Sequence, residues 1–181
     1  MHNVKKKVFK MAKQPNKVGC GARTNEVGLN FEQTTELSEA ISKQTDYKII
    51  GNKVYCNGEY VATMFPKNAL YKNLLDPNGI DYRTFISKKL LPDDAILVGN
   101  ILYIIEKKFQ SGAGSVDEKL QTCDFKKKQY SKLLASLNIQ VEYYYFLSNW
   151  FKQDVYEDVR EYILSVGCKY YFDEIPLEEI G

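Results

Sequence analysis

The sequence predicts an α/β fold of three layers, with helices covering both faces of a central mixed sheet. Three observations predict it. After the second hairpin, which ends at residue 106, strand patterns alternate with helix patterns, the signature of a sheet crossed by covering helices. Two short turns, Asn57-Gly58 and Gly99-Asn100, each sit between apolar runs and mark hairpins, which supply antiparallel strands. One segment, IQVEYYYFLS at residues 139–148, is so continuously apolar that it reads as a central strand buried on both faces. The chain of 181 residues is 44% apolar and 13% aromatic, enough to fill one core.

The elements follow in order. Residues 1–26 hold few large apolar groups and read as a basic arm, with a single domain over residues 27–181. Residues 27–44 carry Leu29, Phe31, Leu37 and Ile41 and look like a first helix. Residues 47–65 read as short strands broken at Gly51-Asn52 and Asn57-Gly58. Pro66 opens a short helical stretch, since proline suits a first helical turn, and Asp76-Pro77-Asn78-Gly79 is turn chemistry. Residues 95–98 and 101–106 form the second hairpin. SGAGS at residues 111–115 is a glycine-rich loop whose backbone N–H groups could cradle phosphate. In residues 116–137, Val116, Leu120, Cys123, Tyr130 and Leu134 recur at steps of four, three, seven and four, a helix face. Val155, Val159, Tyr162 and Val166 predict a similar stripe on a helix over residues 154–166. A last strand at residues 168–172 precedes an acidic tail.

Composition excludes several chemistries. The one histidine is His2, which removes Ser-His-Asp and Cys-His arrangements and His-rich metal sites. Cys20, Cys56, Cys123 and Cys168 show no zinc-like spacing and read as reduced thiols. No apolar run approaches the ~20 residues of a membrane span, and the basic N-terminus lacks an apolar signal region, so a cytoplasmic protein that spans no membrane is expected. The net charge of +2 hides an asymmetry: seven Lys and Arg and no acid lie in residues 1–23, leaving 18 basic against 23 acidic groups elsewhere. Such an arm is suited to phosphate backbones or to solvent. Lys126-Lys127-Lys128 reads as a solvated helix face, and the tyrosines of residues 142–146 as core.

The chemistry-bearing constellation is Asp93, Glu106 and Lys108, within PDDAILVGNILYIIEKKFQ. Asp93 opens one hairpin strand and Glu106 closes the other, so a tight turn brings both carboxylates together. Two hard oxygen ligands on adjacent strand ends suit Mg²⁺, with Mn²⁺ as a substitute. Lys108 lies two residues beyond Glu106, on the same strand face, and Gln110 follows on that side. Alternation puts Asp94 on the opposite face.

Pro92-Asp93 followed by Glu106-Lys107-Lys108 resembles the PD-(D/E)XK nuclease signature: Pro-Asp, a hairpin, then acid-any-Lys on the second strand. The resemblance spans roughly residues 27–147 and implies a restriction-endonuclease-like core. It implies Asp93 and Glu106 as Mg²⁺ ligands and Lys108 as the catalytic lysine. It adds an acid from the first helix, best matched by Glu32 and second by Glu36. It also places a polar helix against the site, with Ser115, Glu118, Lys119 and Gln121 near the scissile phosphate. The implied activity is Mg²⁺-dependent cleavage of double-stranded DNA by a small type II restriction endonuclease, as a homodimer or with a second restriction subunit. The alternatives are a repair or recombination nuclease of the same superfamily, or a DNA-binding module that keeps the fold without the metal.

Overall fold

Strand alternation and turn chemistry explain the architecture of the computed structural model, which describes residues 28–30, 36–110 and 116–181. Strands β2 (Tyr47–Ile50), β3 (Lys53–Cys56), β4 (Glu59–Met64), β5 (Asp94–Val98), β6 (Ile101–Lys108), β7 (Gln140–Leu147) and β8 (Lys169–Tyr171) form one seven-stranded sheet in sequence order. Pairing is antiparallel from β2 to β6 and parallel from β6 to β8. The change coincides with the connections: tight turns join β2–β3, β3–β4 and β5–β6, whereas β6–β7 and β7–β8 are joined by helices, as parallel pairs require. At the β3–β4 turn Asn57 and Gly58 both take positive φ, 48° and 86°, the backbone a two-residue hairpin turn demands.

Helices lie on both faces. On one, α1 (Leu37–Ser42) buries Leu37, Ala40 and Ile41 against Val54, Met64, Ile96, Ile105 and Phe146. On the other, α2 (Val116–Leu120), α3 (Cys123–Leu134) and α4 (Glu157–Ser165) pack with the segment Phe65–Leu75, part of it a π-helical turn, against Leu102, Ile104, Tyr143 and Tyr145. β7 feeds both layers: Tyr143, Tyr145 and Leu147 enter one core cluster, Tyr144 and Phe146 the other. Burial at every position from Tyr143 to Leu147 matches the unbroken apolar run. The mixed sheet with helices on both faces is the α/β, three-layer class expected.

Several local expectations change. The first helix begins only at Leu37, and Gly28–Asn30 is instead a strand, β1, paired antiparallel with β9 (Glu174–Pro176). The acidic tail is therefore structured; Ile175, Leu177 and Ile180 are buried on the α1 face, and their apolar spacing outweighs the flanking charges. The helix of residues 116–137 breaks at Gln121-Thr122 into α2 and α3, yet Leu120, Cys123, Tyr130 and Leu134 are buried as the spacing implied. The α4 stripe holds in part: Val159 and Val166 pack against the core beside buried Ile163, while Val155 is 78% and Tyr162 37% exposed. Val155 fails because it precedes α4, in a 3₁₀ turn (Asp154–Tyr156) that does not keep the α-helical period. Cys123 and Cys168 are free, buried thiols, but Cys56 is disulfide-bonded, so the expectation of reduced thiols fails there. The basic arm of residues 1–26 lies outside the described residues.

These assignments make Ile104, fully buried at the centre of β6, a stability determinant. Ile104→Ala should lower unfolding free energy by about 2–5 kcal/mol, whereas Val155→Ala should change it by less than about 0.5 kcal/mol. Urea denaturation followed by circular dichroism measures both, and equal effects would contradict the exposed position of Val155.

Candidate active site

The site begins with the register of one hairpin. Asp94 faces Ile105 and Val98 faces Ile101, so the next step outward sets Asp93 against Glu106. Asp93 sits just before β5, where the Lys107 backbone N–H donates to its Oδ2 at 2.9 Å. The carboxylate thus closes the open end of the hairpin and is fixed beside β6. Glu106 and Lys108 are two residues apart on β6 and share a face. The Lys108 ammonium lies 2.8 Å from Glu106 Oε2 and 3.8 Å from Asp93 Oδ2. Asp93, Glu106 and Lys108 are therefore brought together.

Glu106 is only 5% exposed, and a carboxylate taken out of water must be paired. Besides Lys108, it accepts from the Lys126 ammonium of α3 at 3.2 Å. Tyrosines of the surrounding core feel its charge: burial first, then the negative field of Glu106, pushes the hydroxyls of Tyr130 and Tyr143 far above their ordinary range. Both hydroxyls stay protonated, so the core beside Glu106 carries no second negative charge. The Tyr145 hydroxyl donates to the Lys119 carbonyl at 3.1 Å, and its ring centroid lies 6.0 Å from the Lys108 ammonium.

Beyond Lys108, Ser148 clamps the end of β6. Its hydroxyl accepts from the Gln110 N–H at 3.1 Å and donates to the Gln110 carbonyl at 3.0 Å. The side-chain amide of Gln110 is enclosed, and neither of its polar atoms has a hydrogen-bond partner. Gln110 stands two residues past the end of β6, and no hydrogen bond joins its side chain to the charged cluster.

The opposite face holds a second pair. Asp94 Oδ2 lies 3.0 Å from the Lys107 ammonium, with both side chains largely buried. Burial pushes the Asp94 carboxyl up; the Lys107 charge and the Leu37 N–H at the start of α1 oppose this, and Glu36 adds to it. Glu36, the second choice for the helix acid, therefore stands with Asp94 and not with Glu106.

Other expected residues are distributed differently. Glu32 and Ser115 lie outside the described residues. Lys119 is exposed and meets the site through its backbone carbonyl. Glu118 is exposed as well. Gln121 lines a cavity of about 580 Å³ with Val155, Tyr156, Asp158, Val159 and Tyr162, apart from the acid and lysine set. Lys126 is the residue that sequence reasoning missed. A signal was present: the helix stripe skips from Cys123 to Tyr130, and Lys126 stands three residues after the first and four before the second, inside the buried face.

Among the described residues no group of three or more His, Cys, Asp and Glu side chains gathers around a common point. The available donor set is the pair Asp93 and Glu106. Two hard carboxylates, with remaining positions left to water and phosphate oxygens, fit the demands of Mg²⁺. No protein-family model matches the chain, and no curated protein has significant similarity to it.

The raised Asp94 carboxyl gives a pH signature. Its proton is held more tightly in the folded than in the unfolded chain, so stability from this group is greatest below the ordinary value of 3.8 and is lost as pH rises through the folded-state pKa. Asp94→Asn should abolish that component, leaving a flatter stability profile above pH 3.8. Urea midpoints across mildly acidic pH check this; an unchanged slope would show that Asp94 does not titrate in the window.

Proposed function

We propose that this chain is a metal-dependent DNA endonuclease that hydrolyses phosphodiester bonds in double-stranded DNA. The observation that carries the reading is the convergence of the Asp93 and Glu106 carboxylates on the Lys108 ammonium at the open end of one hairpin. The resemblance of Pro92-Asp93 and Glu106-Lys107-Lys108 to the PD-(D/E)XK signature supports the same assignment.

Asp93 and Glu106 would hold Mg²⁺, or Mn²⁺ in its place. When bound, the ion supplies positive charge against the negative charge that builds on the phosphorus-bound oxygens. The remaining N–H of Lys108 would orient the attacking water in line with the leaving 3′ oxygen. As the water oxygen bonds to phosphorus the P–O3′ bond breaks, the water's proton passing to solvent and the 3′ oxygen taking one up from solvent. The Lys108 ammonium is suited to this because Glu106 and the Lys107 carbonyl, 3.1 Å away, already fix its direction. The buried tyrosines beside Glu106 keep bulk water from the rear of the cluster.

The biological setting we favour is a type II restriction endonuclease or its catalytic subunit, in the cytoplasm. Cutting both strands would require a homodimer or a second subunit. Among the described residues no helix is long and apolar enough to cross a membrane.

Glu106→Gln and Lys108→Met should each reduce Mg²⁺-dependent plasmid cleavage by at least about 10²-fold while retaining DNA binding. Gel analysis of plasmid forms and fluorescence anisotropy with a labelled duplex measure the two properties. Undiminished cleavage by either variant would overturn the assignment.

A further inference from the structure

Glu106 Oε2 carries two ammonium groups, Lys108 at 2.8 Å and Lys126 at 3.2 Å. We propose that Lys126 is a gate on the cation site: its ammonium occupies the Glu106 oxygen that a divalent cation needs, and passes to a DNA phosphate when the cation takes that oxygen. This rests on the reading of Asp93 and Glu106 as the cation ligands.

The three adjacent lysines of α3 are not equivalent. Lys128 pairs with Asp124 one turn away and is 68% exposed, an ordinary surface pair. Lys127 is anchored to the Gly167 carbonyl at 2.6 Å and to Glu142 at 3.1 Å. Lys126 turns inward, between the buried positions Cys123 and Tyr130, and reaches Glu106, whose side chain alone is 7% exposed. Its own side chain is 25% exposed, and its long flexible stem allows the ammonium to swing outward.

Charge counting gives the coupling. With Asp93, Glu106, Lys108 and Lys126 ionised, the set is neutral. A divalent cation at the carboxylates then faces two ammonium groups at close range, which opposes binding. A phosphate anion beside the site gives the displaced Lys126 a new partner and removes that opposition. Cation and DNA therefore strengthen each other's binding, and linkage makes the effect equal in both directions.

Calorimetric titration of Mn²⁺ into the purified chain, with and without a short mixed-sequence DNA duplex, tests this. Lys126→Met should bind Mn²⁺ alone about tenfold more tightly than the unaltered chain. The duplex should raise Mn²⁺ affinity of the unaltered chain by about the same factor and that of Lys126→Met far less. Lys126→Arg, which keeps the charge, and Lys128→Met, which removes a surface charge, should both behave as the unaltered chain. If Lys126→Met has ordinary Mn²⁺ affinity without DNA while Glu106→Gln loses it, the gate is refuted and the cation site stands. If the unaltered chain and Lys126→Met bind no Mn²⁺ with or without duplex, the nuclease reading fails and the gate fails with it.

Discussion

The pairing of β5 with β6 is the constraint on which the site depends. Because side chains alternate at every residue, the Asp94–Ile105 register sends Asp93, Glu106 and Lys108 to one face and Asp94 and Lys107 to the other. A slip of one residue would exchange these sets. Register is held by the apolar alternation itself: Ala95, Leu102 and Ile104 belong to one core cluster, Ile96, Val98 and Ile105 to the other. Five charges at a hairpin end are thus sorted into a set of three and a pair with different surroundings. The pair anchors the start of α1; the set of three gathers around Glu106 at the end of β6.

Placing Glu106 at the edge of the tyrosine layer has an electrostatic consequence. Desolvation makes an unpaired carboxylate there costly, and the chain meets that cost with ammonium groups from two separate elements, β6 and α3. The same arrangement concentrates fields that would be weak in water. The cluster is consequently held in place by the chain itself, with Asp93 fixed by a backbone N–H and Lys108 by a carboxylate and a carbonyl.

What the sequence makes legible is what obeys short-range periodicity. The hairpin ends follow from strand alternation and the Gly99 turn, so the relation of Asp93 to Glu106 and Lys108 is readable from spacing. The run from Tyr143 to Leu147 is readable because burial on both faces leaves no polar position. Pairings between distant segments are not readable in this way. β1 and β9 are three residues each, separated by most of the chain, and neither carries a periodic signal long enough to be recognised. Lys126 is partly legible, as a gap in an apolar stripe. Three consecutive lysines otherwise suggest solvent, and which one turns inward is set by how α3 lies across β6 and β7. Val155 misled for the converse reason: a matching residue type at a matching interval precedes the helix whose period it seemed to share.

The mixed character of the sheet is itself a condition for the site. Glu106 and Lys108 occupy the C-terminal end of β6, where it runs parallel to β7, with Lys108 level with Leu147. The carboxyl ends of parallel strands are where α/β sheets habitually place ligands, because the connecting loops open there. A third charged group must arrive at that same end from another strand. An upstream strand parallel to β6 would carry Asp93, at its start, to the far edge of the sheet. β5 runs antiparallel, so its beginning meets the finish of β6, and the acid that opens one strand stands beside the acid that closes the next. The two-residue turn and the helical crossover, one on each side of β6, set three charges from one hairpin at the end of β6 that runs beside β7.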